Sequence, residues 1–192
     1  QIPTPESAPK LPLSPYGVTK LGGEFYLNYY RHVHGMEYVA LRYSNVFGPR
    51  QDPHGEAGVV AIFCTRLLDG EPLTIFGDGE QTRDYVYVKD VVAANMLASG
   101  ADMGDGTGLD SRAFNVGTGV GTSVLQLADA LEGVAGVGLP RNHAPARPGE
   151  LQHSTLDSSL IRSRGWAPAF TLEQGLRETF EHIANQRAEA AE

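Results

Sequence analysis

Residues 14–48 read SPYGVTKLGGEFYLNYYRHVHGMEYVALRYSNVFG, a helical pattern that gives way to a strand pattern. Ser14 at a cap position with Pro15 at the first helical position is a strong helix start, and the run to His34 contains no further proline. Phe25, Leu27, Tyr29, Tyr30 and Val33 give this helix a broad apolar surface. Gly22 and Gly23 each weaken it by roughly 1 kcal/mol unless something packs closely there, which predicts a close helix neighbour. Gly35 ends the helix. Met36 to Val46 is β-rich, with a turn expected at Phe47, Gly48 and Pro49. Helix followed by strand opens an α/β pattern.

The pattern continues on both sides. Five prolines, at positions 3, 5, 9, 12 and 15, make the N-terminal stretch an extended loop. Downstream, Gln51 to Ala57 is a polar loop, and Val59 to Asp69 is an amphipathic helix stopped by Gly70. Pro72 to Phe76 is a short strand closing on a Gly77-Asp78-Gly79 turn. Arg83 to Val88 alternates as a strand, and Asp90 is placed to cap an apolar helix. Gly100 to Arg112 is a Gly/Asp-rich loop, and Phe114 to Gly117 a strand. Thr122 or Ser123 caps a helix through Leu131, a proline-bearing loop follows, and a last helix runs from about Leu172 to Arg187. No internal repeat is visible.

Composition sets bounds on function. The 192 residues are 41% hydrophobic, 20% charged and 8% aromatic, a globular balance. Such a chain buries roughly 70% of its unfolded surface as one domain or two small lobes. No run of about 18 apolar residues occurs, and Gln1 to Pro5 has neither the basic nor the apolar region of a signal peptide, so no membrane association is expected. With Cys64 alone, no intrachain disulfide or thiolate zinc site is possible, which points to a reducing, cytoplasmic setting. Cys64 itself reads as a small buried hydrophobe. The histidines lack ligand spacing, so no metal site is expected. A net charge of −8 without a basic run argues against nucleic acid. Twelve of the fifteen cationic side chains are nevertheless arginine, whose planar forks suit a small phosphate ligand.

Two Tyr-x-x-x-Lys runs occur. Tyr16 and Lys20 lie on the first helix, where i, i+4 side chains share a face about 6 Å apart. An ammonium so placed favours phenolate, and a tyrosine tuned in this way can act as a general acid/base at a hydroxyl. Chance supplies such a spacing in roughly one chain of eight at this composition, and an exposed surface pair is the commoner outcome of spacing alone. The second run, Tyr85 to Lys89, falls in alternating sequence, where four strand residues span about 13 Å and the side chains cannot couple. Gly117, Gly119 and Gly121 mimic a dinucleotide fingerprint, but the third glycine is misplaced for G-x-G-x-x-G.

SPYGVTK, LRYSNVFGPRQDP, PLTIFGDGEQTRDYVYVKDVVAA, FNVGTG and RPGE, in that order, closely resemble the extended short-chain dehydrogenase/reductase family, within it the NAD-dependent epimerase/dehydratase group and most of all its UDP-glucose 4-epimerase branch. The likeness covers about residues 1 to 183. It implies an α/β chain: the C-terminal part of a Rossmann-type doubly wound fold plus a small mixed α/β substrate-binding lobe. Residues 1–47 and 84–118 would belong to the NAD-binding domain, 48–83 and 119–187 to the nucleotide-sugar lobe, and 188–192 to a frayed tail.

The implied activity is NAD-dependent epimerisation at C4 of a UDP-hexose, of the UDP-glucose/UDP-galactose type, through transient oxidation to a 4-keto sugar. The resemblance makes Tyr16 the acid/base and has Lys20 bind the nicotinamide ribose; Tyr43 and Ser44 become cofactor-side residues. Asn45 would contact the sugar diphosphate and Phe76 would lie near the uracil. Arg83 and Arg147 would hold the diphosphate, and Glu150 would meet the nucleoside ribose. By themselves Arg83 and Arg147 would be ordinary surface ion-pair partners, Phe76 a core aromatic and Asn45 a turn residue. A homodimer through the Tyr16–Lys20 helix is also implied.

The family's glycine-rich pyrophosphate turn and its Ser/Thr before the tyrosine have no counterpart here, so roughly 120 residues of the family pattern are missing, near the size of a domain. The chain by itself is therefore expected to be an inactive fragment. Rival readings are a nucleotide-sugar 4,6-dehydratase or UDP-glucuronate decarboxylase of the same fold, and a non-catalytic nucleotide-sugar-binding module.

Overall fold

A computed structural model describes residues 1–52, 58–104 and 106–190. In chain order the elements are α1 (Pro15–His34), β1 (Ala40–Tyr43), β2 (Asn45–Phe47), α2 (Val59–Asp69), β3 (Leu73–Phe76), β4 (Thr82–Arg83), β5 (Tyr85–Tyr87), α3 (Val88–Gly100), β6 (Ala113–Val116), β7 (Thr122–Ser123), α4 (Val124–Ala135), β8 (Arg141–Ala144), β9 (His153–Ser154), α5 (Ser159–Arg162) and α6 (Leu172–Ala190). β1 pairs with β6, β2 with β5 and β3 with β8, each in parallel, while β4 pairs antiparallel with β7 and parallel with β9. Parallel pairs with intervening helices make this an α/β fold. No helix among the described residues is long and apolar enough to cross a membrane.

Local chemistry explains most element ends. Ser14 Oγ accepts from Gly17 N at the start of α1, and Gly35, Gly70 and Gly136 close α1, α2 and α4 in the left-handed conformation. Ser123 and Gln126 form a reciprocal capping box at the start of α4.

Period-2 alternation in one short strand divides the interior. Tyr85 and Tyr87 of β5 face a core built with Phe47, Phe63, Leu73, Ile75, Leu127, Leu131 and Leu176, drawn from β2, α2, β3, α4 and α6. Val86, between them, faces the opposite core of Val91, Phe114, Val116, Ile161 and Trp166. The β2–β5 pair is thus a wall with a core on each side.

Several sequence expectations change. The single strand over Met36–Val46 is two, because Ser44 N donates to Val116 O while Asn45 N turns to Asp84 O, so the chain switches partner strands between them. Phe47, expected in a turn, ends β2 and is buried. The strand over Arg83–Val88 likewise divides at Asp84. Asp90 is not the cap of α3: Tyr87 holds that position, and the Asp90 carboxylate accepts from Ala169 N at 2.7 Å and Phe170 N at 3.4 Å. Lys89 lies in α3 and pairs with Glu178, so the Tyr85–Lys89 spacing crosses a strand-to-helix junction. β8 lies within the expected proline loop, paired on β3. Helix α6 runs to Ala190, whereas residues 53–57 of the expected polar loop and residues 191 and 192 lie outside the described residues. Among the described residues Gly22 and Gly23 have no close neighbour: a Cβ at either would meet nothing within 4 Å, and none of the α1 residues is fully buried.

Candidate active site

A cavity of about 510 Å³ opens between α2, β3, β4 and the 147–150 turn, and Asn45, Phe76, Arg83, Arg147 and Glu150 all line it. Each arrives for a local reason. Leu73 and Ile75 of β3 point into the core, so Thr74 and Phe76 face the other way, into the cavity. Arg147, Pro148, Gly149 and Glu150 form a reverse turn closed by Glu150 N to Arg147 O at 3.3 Å. Proline followed by a positive-φ glycine (φ 76° at Gly149) is the signature of a type II turn, and it sets a cation and an anion at one mouth. Arg83, on β4, donates one terminal nitrogen to Thr82 O at 2.8 Å and the other to Glu150 Oε1 at 3.0 Å. The Arg147 guanidinium sits 4.0 Å from the Phe76 ring centroid, a cation–π contact.

Four further polar residues line this cavity without having been named as site residues from the sequence: Arg66, Thr74, Gln81 and Tyr85, the last set aside there as part of an uncoupled Tyr-x-x-x-Lys run. Arg66 donates to Pro72 O, and Gln81 to Phe76 O. The Tyr85 hydroxyl has no hydrogen-bond partner among the described residues, and burial pushes its pKa up to about 12. Only the alternation of β5 could have pointed to Tyr85, and there it is indistinguishable from a core position.

The remaining site residues stand apart from this cavity. Tyr16 is 68% exposed on α1, with Lys20 Nζ 5.2 Å from its ring centroid, the i, i+4 proximity expected. Lys20 lines a separate groove of about 310 Å³ together with Lys10, Glu24 and Arg42. There the Arg42 guanidinium grips Glu24 through two bonds, 2.8 and 2.6 Å, and reaches Asp110 at 2.9 Å. These bonds raise the already high pKa of Arg42 and tie α1 to β1. Tyr43 donates its hydroxyl to Asn95 Oδ1 at 3.0 Å. Ser44 Oγ is buried at the carboxyl end of β1, where open parallel sheets place ligands, and has no hydrogen-bond partner among the described residues, so it would fit part of a nicotinamide site.

The Gly117–Gly119 turn is occupied from within. Asp84 accepts from Thr118 N at 2.8 Å, Thr118 Oγ1 at 2.6 Å, Gly119 N at 3.1 Å and Leu156 N at 3.3 Å, and a Cβ on Gly117 would sit 2.5 Å from Asp84 Oδ2. A carboxylate of the protein fills the nest that a phosphate would need. Among the described residues no cluster of His, Cys, Asp or Glu is arranged to hold a metal ion.

Comparisons with known proteins identify the family. Residues 1–117 match the NAD dependent epimerase/dehydratase family. The UDP-glucose 4-epimerase of Mycolicibacterium smegmatis is 45% identical over 185 residues, covering 96% of this chain and 57% of that protein. The crystal structure of a UDP-glucose 4-epimerase with UDP-glucose from Thermotoga maritima superposes with a TM-score of 0.89 at 47% identity, over 96% of this chain and 58% of that one. A Thermus thermophilus UDP-glucose 4-epimerase complex with NAD gives 0.81 at 42% identity, over 91% and 55%. More distant relatives include a dTDP-glucose 4,6-dehydratase of an Actinoplanes species, 33% identical over 91% of this chain and 52% of that one. The chain thus spans a little under three fifths of the length of the first of these relatives. On the strength of the family match over residues 1–117, the chain belongs to the NAD-dependent epimerase/dehydratase family.

Proposed function

We propose that the cavity binds the UDP portion of a UDP-hexose, and that a protein of the family's full length carrying this chain epimerises that sugar at C4. One observation carries the reading: Asn45, Phe76, Arg83, Arg147 and Glu150, named from separate stretches of sequence, line a single cavity. Two guanidinium groups suit a diphosphate, an aromatic face suits a pyrimidine, and a carboxylate suits ribose hydroxyls. NAD, when bound, supplies a reversible hydride acceptor. Tyr16 would exchange a proton with the sugar 4-oxygen, Lys20 would orient the nicotinamide ribose and tune that tyrosine, and Tyr43 and Ser44 would lie on the cofactor side.

Residues 1–47 and 84–118 are read as Rossmann framework, and 48–83 and 119–187 as the sugar-nucleotide lobe; Ile161 and Trp166, within the second range, pack with the first. The 192 residues by themselves are proposed to bind the nucleotide without turning it over, because no glycine-rich cradle for a cofactor pyrophosphate is free among the described residues. The dehydratase relative keeps 4,6-dehydration as a second reading for the full-length protein, separable by whether water is lost from the sugar.

Calorimetry tests the site. UDP is expected to bind this chain, and Arg83→Ala to weaken it by about 10- to 100-fold, the worth of charge-assisted hydrogen bonds. Unchanged affinity in Arg83→Ala would remove the assignment. Incubation with NAD and UDP-glucose should give no sustained UDP-galactose, and turnover would overturn the inactivity.

A further inference from the structure

The charged groups of the cavity are partnered from within the protein. Arg83 is bound to Glu150, their side chains only 16% and 27% exposed, and Arg147 covers the face of Phe76. We infer that Glu150 is a built-in competitor for anions at Arg83, and that exchanging this ion pair makes the cavity select nucleoside diphosphates over inorganic pyrophosphate. The inference rests on the cavity being the nucleotide-sugar site.

The chemistry follows from what each group can exchange. An entering anion competes with Glu150 for Arg83, whose two terminal nitrogens already donate to Thr82 O and Glu150 Oε1. A carboxylate only accepts hydrogen bonds, so a displaced Glu150 loses its Arg83 donor while half-buried beside a second negative charge. Pyrophosphate offers almost nothing but acceptors and cannot relieve this. A nucleoside diphosphate carries ribose hydroxyls that donate to the freed carboxylate while its phosphates take Arg83. The same holds at the other end of the turn. Arg147 leaving Phe76 for a phosphate exposes an aromatic face that a pyrimidine can cover and pyrophosphate cannot. Because Arg147 and Glu150 sit on one Pro-Gly turn, both exchanges occur at the same mouth. Selectivity then comes from a penalty built against the wrong ligand as well as from attraction to the right one.

The test is calorimetry on this chain with UDP and with inorganic pyrophosphate. Glu150→Gln, which keeps the shape and removes the charge, is expected to tighten pyrophosphate by about tenfold and leave UDP unchanged or weaker, lowering the UDP-to-pyrophosphate ratio at least tenfold. Glu150→Ala should lower it in the same direction, and thermal melting of both variants confirms folding. Asp78→Asn removes a carboxylate from a neighbouring turn, where Asp78 Oδ1 accepts from Glu80 N, and should leave the ratio within about twofold. Adding Arg83→Ala to Glu150→Gln should abolish the gain in pyrophosphate binding. A ratio unmoved by Glu150→Gln, or moved equally by Asp78→Asn, overturns the inference. If in that case Arg83→Ala still weakens UDP, the nucleotide site stands and only the competitor role falls. If wild-type chain binds no UDP, both fall.

Discussion

Asp84 is 1% exposed and accepts four hydrogen bonds, three of them from the turn at Thr118 and Gly119 and one from Leu156. Its backbone carbonyl also takes Asn45 N, so one residue joins the start of β2, the 117–119 turn and the approach to α5. It stands between Arg83 and Tyr85, which line the cavity, and so holds the strand break that aims them. An amide cannot accept on its nitrogen, so Asp84→Asn turns part of this network into donor against donor. The variant should lose about 2 kcal/mol of stability, the cost of unsatisfied buried groups, read as a lower denaturation midpoint in urea. A midpoint equal to wild type would remove Asp84 from this role.

Helix α6 packs closely on the wall between the two cores. A Cβ on Gly175 would lie 2.8 Å from both the Phe47 and Tyr87 rings, which are themselves buried with no room to yield. The Tyr87 hydroxyl and Lys89 both bond Glu178 one turn further along α6, fixing the rotation of that helix against β5. Gly175→Ala improves helix propensity, yet it should destabilise the protein by about 1–3 kcal/mol through overpacking. Thermal melting that shows stabilisation would mean that α6 can slide away from β5. Helix α1 differs: none of its residues is fully buried, and it is tied to the body by the partly buried Leu27 against Tyr38, Ala40 and Ala113 and by Glu24 with Arg42.

For the whole molecule, that bare helix is the conspicuous surface. Phe25, Tyr26, Tyr29 and Tyr30 are about half exposed or more, and Gly22, Phe25, Tyr26 and Tyr29 line a shallow groove. An amphipathic helix is stabilised by covering its apolar face, and a second copy of the same helix is the proposed cover. Sedimentation should show a dimer that Tyr26→Glu dissociates; a wild-type monomer would refute it. The expectations read from Ser14, Gly35, Gly70 and Ser123 reappear as element ends, because capping is a contest between neighbours within four residues. Asn45, Phe76, Arg83, Arg147 and Glu150 could be named from their motifs, but their meeting at one cavity depends on parallel pairings between strands far apart in sequence. Tyr85 was illegible, since an alternating tyrosine reads the same whether it borders a core or a ligand. The partner switch at Ser44, the recruitment of Asp90 by residues 169 and 170, and the filling of the glycine turn by Asp84 are likewise tertiary outcomes. The amino-acid sequence alone determined the α/β order and the helix stops, because these rest on local propensity and side-chain chemistry. Only the folded chain decided which donors each buried carboxylate would take, because that choice is made between groups that become neighbours on folding.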